Sequence, residues 1–140
     1  MADRPRALAQ VQIADRRWNA ALDASEFAPP DEQFGRRLRD IADACEQEAA
    51  ALRMADAVGM GWDPAPGSSN MRLSYELRPG GNRPGPVELW ERFDEAVRRL
   101  GVAMEGVAVT AVAREFAELS DITRELADAV ETGRLRRQAS

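Results

Sequence analysis

Two runs of this sequence set carboxylates at helical steps. "ELWERFDE" carries Glu88, Glu91, Asp94 and Glu95, and "REFAELSD" carries Glu115, Glu118 and Asp121. Residues three and four apart share one face of a helix. Acidic groups on two facing helices can hold Mg²⁺, which takes oxygen ligands and phosphate. Glu88, Glu91, Glu118 and Asp121 are the metal candidates on that reading. Arg92, Arg98, Arg99, Arg114 and Arg124 are interleaved with the acids, and such alternation also builds a solvated face neutralised by ion pairs. Phase favours the solvated face. Glu91 and Glu95 flank the apolar stripe through Trp90, Phe93 and Val97, and Glu118 lies beside Leu119. The expectation is therefore no metal, no cofactor and no catalytic residue.

The chain contains no histidine. That removes the commonest general base and the commonest metal ligand together. A ferritin-like di-iron centre, which needs Glu-x-x-His, is excluded. The lone Cys45 falls on an apolar stripe and reads as a buried structural thiol with no histidine to activate it. A reducing cytoplasm is the expected setting.

The two acidic runs resemble the all-α nucleotide pyrophosphohydrolases of the MazG and dUTPase type. Those use a Glu-Glu-x-x-Glu motif and a later Glu-x-x-Asp motif. Glu118-x-x-Asp121 matches the second motif, whereas "ELWERFDE" lacks the paired glutamates of the first. The resemblance covers part of two helices. It implies, as an alternative function, Mg²⁺-dependent hydrolysis of nucleotides at Glu88, Glu91, Glu118 and Asp121.

A different kind of signal lies between residues 59 and 86. Residues 62–70 and 79–86 are rich in Pro, Gly, Ser and Asn, as loops are. Between them "MRLSYELR" alternates apolar Met71, Leu73, Tyr75 and Leu77 with polar Arg72, Ser74, Glu76 and Arg78. That is the pattern of a short β-strand, 71–78, with one buried face. A lone strand leaves its peptide groups without partners. It could pair with a strand in its own loop, pair across a two-fold axis with a second copy, or lie extended against the bundle. The absence of a second alternating run favours the second copy. Trp62, Met71, Leu73, Tyr75, Leu77 and Trp90 are then the candidate interface residues, since aromatic groups often anchor interfaces. A small-molecule sensor with its pocket under this insertion is a third reading.

The elements that would carry these residues are helical. Spacing predicts helices over about 4–25, 30–58, 86–104 and 109–132. The first should bury Leu8, Val11, Ala14, Trp18, Ala21 and Leu22. The second has Phe34, Leu38, Ile41, Cys45, Leu52 and Ala55 on a heptad stripe, with Ala42 and Ala49 beside it. The third buries Trp90, Phe93, Val97, Leu100 and Met104. The stripe then loses phase, so Val109, Val112, Phe116, Leu119, Leu126 and Val130 belong to a fourth helix after a turn near Glu105–Ala108; one kinked helix is the rival. Gly133 should end the fourth helix. The fold class expected is all-α, a four-helix bundle of two helical hairpins with the 59–85 insertion between them, in a single domain 1–140.

Composition narrows the function class. The 140 residues carry 44% hydrophobic and 31% charged side chains with a net charge of −5, ordinary for a globular domain. Arginine supplies every basic side chain and lysine is absent, which suggests codon bias in a GC-rich bacterium. Arg36, Arg37 and Arg39 form one basic cluster and Arg134, Arg136 and Arg137 another, but the overall charge is acidic and no nucleic-acid partner is expected. Neither a secretory leader nor a membrane span is expected, for lack of the apolar runs each requires. The reading is a cytoplasmic helical bundle that acts by association rather than as an enzyme, homodimerising or docking a protein partner through residues 59–86, with the nucleotide hydrolase and the sensor as alternatives.

Overall fold

The structure, a computed structural model, describes residues 3–25, 34–59, 85–106 and 108–139. Four helices account for nearly all of them: α1 Asp3–Ser25, α2 Phe34–Ala57, α3 Val87–Glu105 and α4 Val109–Ala139. The fold class is all-α, consistent with a helical bundle. There is no β-strand among the described residues, and the strand expected at 71–78 lies outside them.

The apolar stripes explain the packing. Every stripe residue named for α2, α3 and α4 is buried. In α1 the stripe runs through Ala7, Ala14 and Trp18, with Val11 and Ala21 partly covered, while Leu8 is 45% exposed. Leu8 therefore lies outside the buried stripe that the sequence reading gave it. The buried groups join in one cluster, with Trp18 edge-on to Phe116 at 5.5 Å and Trp90 edge-on to Phe93 at 5.3 Å.

α2 and α4 form the central pair. α1 lies on α2, and α3 lies on α4. Cross-links fix the directions. Arg39 of α2 meets Asp128 and Glu131, whereas Ala42 and Asp43 meet Ser120 and Arg124, so α2 and α4 are antiparallel. Arg4 reaches Val58, and Arg17 reaches Gln47, so α1 and α2 are antiparallel too. Arg92 with Glu125 and Arg99 with Glu118 make α3 antiparallel to α4. Two hairpins thus pack through α2 and α4, and α2 runs parallel to α3.

That parallelism accounts for the long connection between them. Gly59, at φ 75°, ends α2 with its N–H donated to the Asp56 carbonyl. Gly85, at φ 111°, sits where an added Cβ would touch Val130 of α4 at 3.3 Å. Those points are at opposite ends of the bundle, about 30 Å apart at 1.5 Å per helical residue. A short loop could not join parallel helices of this length, so a crossover is required.

Two helix ends differ from expectation or resolve it. Gly106, extended at φ −88° and ψ −171°, closes α3 with its N–H on the Ala103 carbonyl, and α4 starts afresh at Val109. Residues 100–113 are thus two helices and a turn, not one kinked helix. α4 does not stop at Gly133 but runs on to Ala139. A helical glycine costs only about 1 kcal/mol, and the arginines that follow favour a helix C-terminus. No helix among the described residues is long and apolar enough to cross a membrane.

Candidate functional site

α3 and α4 leave a groove of about 590 Å³ on their shared outer face, lined by Glu88, Glu91, Arg92, Glu95, Arg99, Glu118, Asp121 and Ile122. All four metal candidates therefore line one groove. Helical steps of three on each strand of the hairpin put them on the same side, and the antiparallel turn brings the two sides together. They do not converge on a point. Arg92 donates to Glu125 at 2.8 Å and Arg99 to Glu118 at 3.2 Å. Glu118 is level with Arg99, and Glu91 is level with the neighbourhood of Glu125. Seven residues of helix, about 10 Å, separate those levels. Among the described residues no group of three acidic, cysteine or histidine side chains could hold a metal ion.

Arginines occupy the intervening space. Arg99 bridges Glu118 and the mostly covered Glu115 at 3.5 Å. Arg98 grips Glu95 from one turn on, which lowers the Glu95 carboxyl below its usual range. These are the interleaved ion pairs that the sequence pattern offers, and in solvent each adds little to stability. Chemically, the groove presents carboxylates at two levels and guanidinium groups between them. It could take a phosphate-bearing cation complex more readily than a bare ion, because Mg²⁺ keeps several waters and uses substrate oxygens.

The interface candidates divide sharply. Trp62, Met71, Leu73, Tyr75 and Leu77 lie outside the described residues, as does any pocket beneath the insertion. Trp90 does not belong with them. It is 4% exposed and packs between Phe34, at 6.2 Å, and Phe93. Its place on the α3 stripe puts it in the core, where it is unavailable as a surface anchor.

A second polar constellation escaped sequence reasoning. Glu48 of α2 is 1% exposed and hydrogen-bonded to Asp15 of α1. Burial first, then the hydrogen bond with Asp15, pushes the Glu48 carboxyl up from 4.5 to about 10, which favours its protonated form at neutral pH. Asp15 Oδ1, Glu48 Oε2 and Trp18 Nε1 are buried with no hydrogen-bond partner among the described residues. Cys45 lies close by in the core, its thiol raised by burial and by Glu48. Glu48 falls on the same heptad stripe as Cys45 and Leu52, at the step the apolar list skips. A charged residue at that step was the available signal.

No protein-family model, curated protein or solved structure matches the chain.

Proposed function

We propose that the protein acts by association, with residues 71–78 forming a short strand that pairs with the same segment of a second copy. The observation that carries this reading is the surplus length of the crossover. About nine extended residues would cover the roughly 30 Å between its ends, and residues 60–84 offer well over twice that. The surplus contains the alternating run, whose peptide groups need a partner, and the described helices present no strand edge. Met71, Leu73, Tyr75 and Leu77 would form the apolar face, with Trp62 beside it. Arg39 and Arg124 are engaged by carboxylates on α2 and α4, which supports a protein partner over a nucleic acid. The buried Cys45 thiol is in keeping with a reducing cytoplasm. Light scattering at micromolar concentration should give twice the chain mass. Leu73→Asp with Tyr75→Asp should halve it with helical circular dichroism unchanged. A monomeric parent protein ends the proposal.

One observation favours a second reading, a Mg²⁺-dependent nucleotide pyrophosphohydrolase. Glu88, Glu91, Glu118 and Asp121 line a single groove of ligand size beside Arg92 and Arg99. Glu88 and Glu91 stand three apart, like the last two acids of Glu-Glu-x-x-Glu, with Val87 in place of the first. On this reading Mg²⁺ with a nucleoside triphosphate raises the melting temperature by several degrees, and Glu118→Gln with Asp121→Asn abolishes the rise. A flat response across the four common nucleotides, with no pyrophosphate released, dismisses it.

A further inference from the structure

The α1–α2 contact contains a buried acid pair. α1 packs on α2, and among its described residues the fully covered side chains are Ala7, Ala14 and Trp18. Leu8 and Ile13 of the same helix are more than two-fifths exposed. Asp15, one turn before Trp18, faces Glu48 across this contact, and three polar atoms of the cluster are buried without partners among the described residues. A buried carboxyl is tolerated when neutral and strongly unfavourable when charged beside another carboxylate.

We propose that the seat of α1 on α2 is a proton-dependent latch, closed while the buried Glu48 carboxyl keeps its proton beside Asp15 and loosened when Glu48 ionises. The surrounding charges do not relieve the pair. From α1, Arg17 is directed to Gln47 at 2.7 Å and to Asp43 at 3.9 Å. From α4, Arg124 is held by Asp43 at 2.7 Å and by Glu46 at 2.6 Å. From α2 itself, Cys45 lies within electrostatic reach of Glu48, its thiol raised by burial. α3 lies on α4 and not on this contact. Among the described residues, Asp15 is the neighbour that acts on Glu48.

The direction of the effect follows from linkage. With α1 docked, Glu48 holds its proton up to about 10; undocked, it returns to the ordinary 4.5. The favourable contribution is complete below 4.5 and falls as pH rises through that window, by up to tenfold in the docking equilibrium per pH unit. The chain has no histidine, and burial raises its one cysteine thiol above the ordinary range, so no other side chain is expected to titrate between pH 6 and 9.

Hydrogen exchange read by mass spectrometry on the full chain tests the latch. Between pH 6 and 9, after correction for intrinsic exchange, amides of residues 7–21 should lose protection severalfold to tenfold per unit. Amides of 112–130 should not follow. In Glu48→Gln the α1 protection should be high and independent of pH. PH-independent α1 protection in the parent, or the same slope in Glu48→Gln, overturns the proposal. If that variant fails to fold, infrared spectra of the parent decide. A protonated-carboxyl band at pH 7 that fades as α1 loses protection supports the latch, and its absence at pH 7 refutes it.

Discussion

Gly35 shows how one hydrogen atom in place of a methyl group decides a helix contact. A Cβ built there would stand 2.7 Å from Cγ of Glu131, the residue whose carboxylate receives the Arg39 Nε and Nη2 bonds at 3.0 and 2.8 Å. That carboxylate, with Asp128, holds the Arg39 guanidinium well above its usual range. Two effects compete in Gly35→Ala. Helix propensity favours alanine by about 1 kcal/mol, while overpacking against a near-backbone carbon costs about 1–3 kcal/mol. The second should win, with a net loss of about 1 kcal/mol in urea denaturation. In a Glu131→Ala background the obstruction is gone, and the same change should instead stabilise by up to about 1 kcal/mol. A loss of equal size in both backgrounds would show that Glu131 is not the obstacle. Ser120 makes a gentler contact about three turns before Glu131 along the same seam, its hydroxyl donating to the Ala42 carbonyl at 2.8 Å while accepting from Arg124.

At the scale of the helix, apolar periodicity was legible wherever large residues marked the buried stripe. Phe34, Leu38 and Ile41 placed α2; Trp90, Phe93 and Val97 placed α3; the loss of phase at Gly106 separated α3 from α4. Periodicity failed where small or polar residues occupy the stripe. Ala7 rather than Leu8 is buried in α1, because alanine lets α1 approach α2 closely. Glu48 and Thr123 fill stripe positions that an apolar reading passes over. Thr123 is accommodated by donating to the Leu119 carbonyl at 2.6 Å on its own helix. Glu48 has only Asp15 among the described residues. The groove was half legible for a related reason. Spacing within each helix assigns Glu88, Glu91, Glu118 and Asp121 to one side. Their longitudinal offset depends on how far α4 slides along α3, which the turn and the core packing decide together.

Across the whole molecule, stability rests on the α2–α4 seam, the most extensive helix contact, to which α1 adds Trp18 against Phe116 and α3 adds Trp90 against Phe34. A protease site placed between residues 65 and 70 should therefore be cut without separating the two hairpins. Residues 1–59 and 85–140 should elute together in native gel filtration after cleavage and part only in denaturant. Separation under native conditions would show that the crossover itself holds the bundle closed.

A connection so much longer than its span leaves the seam indifferent to ancestry. The α3–α4 hairpin of one molecule could seat against the α1–α2 hairpin of another with every buried contact preserved, since the packing surfaces are the same in either case. Closed monomers and exchanged pairs would then differ only in how the connecting chain is threaded, and concentration during folding would set their ratio.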